Sequence, residues 1–122
     1  MQLHYLVFDF SDEESGRGSF DAMASVVPGR LPALLAEISA VLAWAGRTFG
    51  PAGALQDEGD WDYELQALAE PDVPLQVAYN DRSGEVSLPS AATQAARTTV
   101  TLTLSGSQAF CKALRDAFGG TD

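Results

Sequence analysis

Apolar and polar side chains alternate with a period of two in several stretches of this 122-residue chain, which is the pattern of β-strands. In the first stretch both faces are apolar, so the sequence predicts a central strand there. The last stretch places valine and leucine on one face and β-branched threonines on the other. The predicted strands are 3–10, 20–27, 61–69, 74–80, 85–88 and 98–104.

Two other segments repeat their apolar residues at helical spacing. The segment from Leu31 to Arg47 has leucine, isoleucine and valine at intervals of three and four residues, and Pro32 falls in the first turn, where proline is tolerated. A second helix is predicted near the end of the chain. Ser105 and Gln108 have the spacing of a capping box for it, and Gly119 is a suitable residue to end it.

The predicted elements follow the order β-β-α-β-β-β-β-α. The short connections between strands favour antiparallel pairing, and two helices with one apolar stripe each can cover one face of a sheet. We therefore expect a single α+β domain over residues 1–122, with a mainly antiparallel sheet and two helices on one face. The length is sufficient for such a domain to bury a core without disulfides.

The net charge of the chain limits the kinds of partner that it can bind. Seventeen acidic and seven basic residues give a formal net charge of −10, which repels nucleic acid and anionic membrane surfaces and attracts basic proteins. No apolar run approaches the ~18 residues that span a bilayer. The chain has one cysteine, and its first residues lack the features of a signal peptide, so we expect a cytoplasmic protein.

Residues suited to catalysis are scarce in this sequence. His4 is the one histidine, which excludes a site with two histidine ligands, and Cys111 falls on the apolar stripe of the second predicted helix as a buried, inert thiol. The acidic, glycine-containing segment 9–21 lacks the spacing of a calcium-binding loop and is predicted to be a passive hairpin connection. We expect no catalytic residues, metal or cofactor.

An acidic segment forms the first candidate interaction surface. No lysine or arginine occurs between Arg47 and Arg82, and acidic residues are frequent in this interval. Such a segment either solvates the surface and protects a sheet edge or binds a basic protein partner. The candidate residues are Asp57, Glu58, Asp60, Asp62 and Glu64.

The outer face of the first predicted helix is the second candidate. It carries four alanines, Ala33, Ala36, Ala40 and Ala43, with Trp44 near their edge. Alanine is a good helix former, so this face needs no functional explanation. The alternative is a homodimer or partner contact anchored by the tryptophan.

These features favour a small acidic, non-catalytic protein-interaction module, acting as a homodimer or by binding a basic partner. The alternative is a small enzyme or ligand-binding domain with Tyr63, Tyr79 and nearby carboxylates in a cleft. The two hypotheses differ in one structural feature: a concave site with convergent polar groups favours the ligand-binding domain.

Overall fold

The computed structural model describes residues 3–12, 17–50, 52–53, 61–70, 73–80, 82–89 and 95–118. These residues contain seven strands, two α-helices and a short 3₁₀ helix, Pro28–Arg30. The strands are β1 (Asp9–Asp12), β2 (Gly18–Val26), β3 (Trp61–Ala69), β4 (Val73–Leu75), β5 (Ala78–Asn80), β6 (Glu85–Ser87) and β7 (Thr98–Gly106). The helices are α1 (Leu31–Phe49) and α2 (Gln108–Phe118). The predicted α+β class and element order are confirmed, with one predicted strand divided into two.

Five strands form one antiparallel sheet in the order β1-β2-β7-β3-β4, and β5 pairs with β6 separately. The central strand β7 pairs along its whole length with β2 and with β3. Its side chains alternate as predicted: Val100, Leu102 and Leu104 are fully buried, while the threonines between them are half-buried on the other face. Alternation with period two therefore identified the inner face of this sheet correctly.

Both helices cover the same face of the sheet, as the sequence predicts. Ile38 and Val41 of α1 are completely buried there, as is Leu114 of α2. The predicted cap of α2 is wrong: Ser105 lies in β7, and the hydroxyl of Ser107 accepts a hydrogen bond from the backbone N–H of Phe110 at 3.2 Å. Gly119 lies outside the described residues. Of the helices in the described part of the chain, none is long and apolar enough to cross a membrane.

The prediction of a central strand over residues 3–10 is wrong. The strand covers Asp9–Asp12 and lies at the edge of the sheet. Residues 3–8 are irregular, because the backbone N–H groups of His4, Tyr5 and Leu6 bind the carboxylate of Glu37 on α1 instead of a neighbouring strand. A carboxylate that accepts several backbone donors competes directly with sheet pairing.

The single strand predicted over 74–80 is also wrong. The segment contains two short strands in different sheets: β4 pairs with the end of β3, and β5 pairs with β6. The exposure of residues 74–80 still alternates with a period of two, so periodicity alone did not reveal the change of partner. Because β5 pairs with β6 and not with β3, these two strands form a hairpin that packs against α1, and this hairpin becomes part of the candidate site.

Candidate ligand-binding cleft

A cavity of about 920 Å³ lies between the C-terminal half of α1, the start of β3 and the β5–β6 hairpin. We call it the cleft. The space for the cleft exists because β4 pairs only with Ala67–Ala69, the end of β3. Among the described strands, none covers the corresponding edge of residues 61–66. The hairpin stands opposite this edge, and the space between them is the cleft.

Helix α1 forms one wall of the cleft through Leu42, Ala43, Gly46 and Arg47. Leu42 is completely buried and lies at the bottom of the cleft, while Arg47 is exposed and lies at its opening. A Cβ atom added to Gly46 would meet no atom within 4 Å. The glycine therefore widens the cleft and leaves space that a larger side chain could occupy.

The start of β3 supplies the opposite wall with Trp61, Asp62 and Tyr63. The indole N–H of Trp61 donates a hydrogen bond to the carbonyl of Gly50 at 2.8 Å, which ties the end of α1 to the first residue of the strand. Gly50 itself has φ +87°, a conformation that favours glycine. Because Trp61 is 2% exposed, it belongs to the bottom of the cleft.

The turn of the β5–β6 hairpin supplies the third side. The side-chain carbonyl of Asn80 accepts hydrogen bonds from the backbone N–H groups of Arg82 at 2.9 Å and Ser83 at 3.3 Å. The backbone N–H of Gly84 donates to the Asn80 carbonyl at 2.8 Å, and its φ of +72° favours glycine. This turn supplies three lining residues of the cleft, Arg82, Ser83 and Gly84.

One hydroxyl fastens the hairpin to α1. Ser39 donates a hydrogen bond to the carbonyl of Leu35 at 2.7 Å and accepts one from the backbone N–H of Val86 at 2.9 Å. Val86 is buried, so its side chain anchors the hairpin to the core as well. The position of the hairpin, and with it the width of the cleft, therefore depends on contacts between distant parts of the chain.

Aromatic rings line much of the interior. Trp61 and Tyr63 are stacked with their ring centroids 5.9 Å apart, and Tyr79 of the hairpin meets Tyr63 edge to face at 5.7 Å. Pairs of this kind hold rings in defined orientations. The cleft is therefore bounded by three ordered rings, with guanidinium and hydroxyl groups nearer to solvent.

The charges in the cleft differ from those of the whole molecule. Arg47 and Arg82 are two of the seven basic residues of the chain, and Asp62 is the one acidic residue that lines the cleft in the described part of the structure. Neither guanidinium makes a hydrogen bond or ion pair with another described residue. One carboxylate oxygen of Asp62 accepts a hydrogen bond from the backbone N–H of Tyr63 at 2.9 Å.

The described residues contain no group of three or more histidine, cysteine, aspartate or glutamate side chains that could hold a metal ion. Cys111 is buried on the inner face of α2, as the sequence predicts. Burial raises the pKa of its thiol, and this outweighs the opposing effects of Arg115 and of the hydrogen bond with the Gly18 backbone. Neither this thiol nor the imidazole of His4 lines the cleft.

The structure divides the predicted helix face. Ala33 and Ala36 are exposed, whereas Ala40 and Ala43 are half-buried. Ala43 lines the cleft, where a Cβ atom on the neighbouring Gly84 would approach to 3.7 Å. The four alanines therefore do not share one environment.

Trp44, the proposed anchor of the helix face, lies in an aromatic cluster. Its ring is half-buried and contacts Phe118 at 5.1 Å between centroids, Phe49 at 6.2 Å and Phe110 at 6.3 Å. These neighbours belong to α1 and α2, so the ring joins the two helices within the chain.

The acidic candidates are also divided. Asp57, Glu58 and Asp60 lie outside the described residues. Glu64 is exposed on the face of the sheet away from the helices, while Asp62 is half-buried and lines the cleft. The structure thus brings Asp62 together with Tyr63 and Tyr79, the residues of the predicted alternative.

Sequence reasoning missed the two arginines and the glycine of the cleft. One signal was available: Arg47 and Arg82 are the two basic residues that bound the acidic segment. Their approach to one cavity depends on the fold of the hairpin against α1, which periodicity does not report. Comparison of the chain with protein-family models, with curated proteins and with solved structures finds no match.

Proposed function

We propose that this protein is a non-catalytic domain that binds a small molecule in the cleft. The observation that carries the proposal is a cavity of about 920 Å³ lined by Trp61, Tyr63 and Tyr79 together with polar groups from three separate elements. Small-molecule sites in proteins are concave, have volumes of roughly 300–1,000 Å³ and combine apolar or aromatic walls with a few convergent polar groups. The cleft has each of these properties.

Binding without catalysis is the simpler assignment for this set of side chains. The lining groups that can exchange protons are Asp62, Tyr63, Tyr79 and Ser83, and the arginines stay protonated. Histidine, cysteine and lysine, which commonly act as general bases or nucleophiles, are absent from the described lining residues. Recognition, by contrast, needs only shape and placed polar groups.

A pair of substitutions on one helix tests the proposal. Gly46→Phe places a ring in the open space of the cleft and replaces a glycine in a helix, so the fold should be retained. Ala36→Phe adds the same ring on an exposed part of α1 that does not line the cleft. The probe is 2-naphthamide, a neutral planar aromatic compound, titrated into the ¹⁵N-labelled protein by NMR.

We expect chemical-shift changes in the wild-type protein to concentrate at lining residues such as Ala43, Tyr63 and Gly84. Gly46→Phe should abolish these changes, and Ala36→Phe should preserve them. Changes that are spread over the outer face of the sheet, or that persist in Gly46→Phe, would contradict the proposal.

The interaction module stays a prediction beside this proposal. The predicted contact with a second copy involves Ala33, Ala36, Ala40, Ala43 and Trp44, of which Ala33 and Ala36 are the exposed members. This contact predicts a dimer in sedimentation equilibrium that Ala36→Glu converts to a monomer. A monomeric wild-type protein at high micromolar concentration would contradict it. Binding of a basic protein by the acidic segment predicts an association that weakens strongly as salt is raised.

A further inference from the structure

We infer that the ligand of the cleft is a planar aromatic anion, with a carboxylate or a similar group held by Arg47 and Arg82. This inference rests on the proposed function and adds the chemical class of the ligand. It starts from the contrast between the acidic chain, with a net charge of −10, and a cleft whose described lining carries two guanidinium groups and one carboxylate. Guanidinium groups attract an anion at short range even when the net charge of the molecule is negative.

The described part of the structure leaves both guanidinium groups to a ligand. They are exposed at the opening of the cleft, on α1 and on the hairpin turn respectively, and neither is engaged by another described residue. The backbone N–H of Arg82 is hydrogen-bonded to the Asn80 side chain, which fixes the point from which its side chain extends. A guanidinium is planar and offers paired donors that match the two oxygens of a carboxylate.

The aromatic walls define the rest of the ligand. Tyr63 stacks on the buried Trp61, and Tyr79 meets Tyr63 at an interplanar angle of 84°, so the two half-buried tyrosines form the aromatic surface between the hairpin and β3. Flat π-systems pack favourably on such surfaces. An aliphatic anion could pair with the arginines but would gain less from the ordered rings, which is why we assign an aromatic body.

Asp62 limits where the negatively charged group of the ligand can lie. One of its oxygens accepts the Tyr63 backbone N–H, and its charge repels an anion that approaches the start of β3. The anionic end must therefore point towards α1 and the hairpin turn, where the arginines lie, and away from the β3 wall. A hydrogen-bond donor on the opposite side of the ligand would complement the aspartate.

The matched compounds 2-naphthoate and 2-naphthamide test this assignment, because they have the same ring and nearly the same size and differ in charge. Affinities are measured by isothermal titration calorimetry with the wild-type protein, with Arg47→Gln combined with Arg82→Gln, and with Arg30→Gln as the control. Arg30 is exposed, precedes α1 and does not line the cleft. All proteins are compared at low and at moderate salt.

We expect the wild-type protein to bind 2-naphthoate about tenfold more tightly than 2-naphthamide at low salt. The double variant should bind the two compounds with similar affinity, because the larger loss falls on naphthoate, and Arg30→Gln should behave as the wild type. Moderate salt should weaken naphthoate binding and leave the amide unaffected.

Equal affinities of the wild-type protein for the two compounds would overturn the assignment of an anion and leave the proposed function standing. Loss of amide binding in the double variant would also overturn it, because the arginines would then act on the shape of the cleft. Binding of neither compound at millimolar concentration would overturn the proposed function and this inference together.

Discussion

Glu37 shows how one residue can determine the course of a segment distant from it in the sequence. It is the one charged residue between Arg30 and Arg47, yet it is 7% exposed. Its carboxylate accepts backbone N–H groups from three consecutive residues, with Tyr5 at 3.0 Å and Leu6 at 2.8 Å. A buried carboxylate is tolerated because these donors replace its hydration. The same bonds keep residues 3–8 out of the sheet.

Glu37→Gln is expected to lower the free energy of unfolding by about 2 kcal/mol, because it removes the charge from these hydrogen bonds and can direct an N–H group at backbone donors. Urea denaturation measures the loss, and amide hydrogen exchange should accelerate at Tyr5 and Leu6. Glu64→Gln, on an exposed position of β3, is the control and should change the stability little. Unchanged exchange at these two amides would contradict the assigned role.

Cys111 is expected to react slowly with thiol reagents in the folded protein. The thiolate is the reactive form, and burial raises the pKa of this thiol, so at pH 7.5 its thiolate fraction lies below that of a free cysteine. Iodoacetamide labelling should be at least ~10-fold slower in native buffer than in urea and should accelerate as the pH rises towards the raised pKa. A native rate equal to the unfolded rate would contradict this environment.

The raised pKa of Cys111 also determines the direction in which the stability of the protein changes with pH. Below the pKa of the thiol in the unfolded chain, the thiol is protonated in both states and does not change the free energy of unfolding. Above that value the unfolded chain loses the proton more readily than the folded chain, so the folded state loses stability as the pH rises. Cys111→Ala should therefore show a smaller decrease in the free energy of unfolding between pH 8 and pH 10 than the wild type. Parallel decreases in the two proteins would show that other groups account for the pH dependence.

At the scale of elements, the sequence predicted the strands and the helix in which the apolar pattern continues from one end of the element to the other. Strands β2, β3 and β7 alternate over nine residues each, and α1 presents a continuous apolar stripe. The predictions over 3–10 and 74–80 were wrong although both segments have apolar patterns, because residues 4–6 bond to Glu37 on α1 and residues 74–80 divide between two partners, β3 and β6. Periodicity reports which face is buried and does not report which strand or side chain lies opposite.

Aromatic residues join the two helices to each other and to β3. Phe49 of α1 meets Phe110 of α2 at 5.3 Å, and Phe110 stacks on Trp61 with an interplanar angle of 8°. Trp44 contacts Phe118 with perpendicular rings. The ring of Trp44 thus packs against α2 of the same chain, and the role of the alanine face as an interface stays a prediction.

Trp44→Ala is expected to lower the free energy of unfolding by about 2 kcal/mol, because a half-buried ring that contacts three phenylalanines is removed. Trp44→Phe keeps a ring and should recover most of this loss, whereas Ala33→Ser changes an exposed position of the same helix and should have little effect. Urea denaturation measures all three. A stable Trp44→Ala protein that loses self-association would instead support the predicted interface.

At the scale of the whole molecule, the cleft arises from contacts that join distant parts of the chain. Tyr63 and Tyr79 could be proposed from the sequence because each falls on an inward face of a predicted strand. Arg47 and Arg82 could not, since they meet at one cavity only when Ser39 holds Val86, 47 residues away, against α1. Their side chains are exposed, and exposed arginines in a sequence carry no periodic signal.

The net charge of −10 predicts that salt stabilises the protein. Like charges on a folded surface repel one another, and the distance over which they act falls from about 30 Å at 10 mM salt to about 10 Å at 100 mM. Unfolding spreads these charges apart, so screening should favour the folded state. We expect the thermal midpoint to rise by roughly 4 °C between these concentrations, which for a domain of this size corresponds to about 1 kcal/mol.

A variant with three fewer negative charges separates this general repulsion from specific salt binding. Asp9→Asn, Glu70→Gln and Glu85→Gln alter exposed carboxylates on three different elements or turns, and none of them lines the cleft. At low salt the combined variant should be more stable than the wild type, and its midpoint should rise less when salt is added, because less repulsion is left to screen. An equal rise in both proteins would contradict repulsion among these charges and would indicate instead that an ion binds the folded state, with the arginines of the cleft as the first place to look for it.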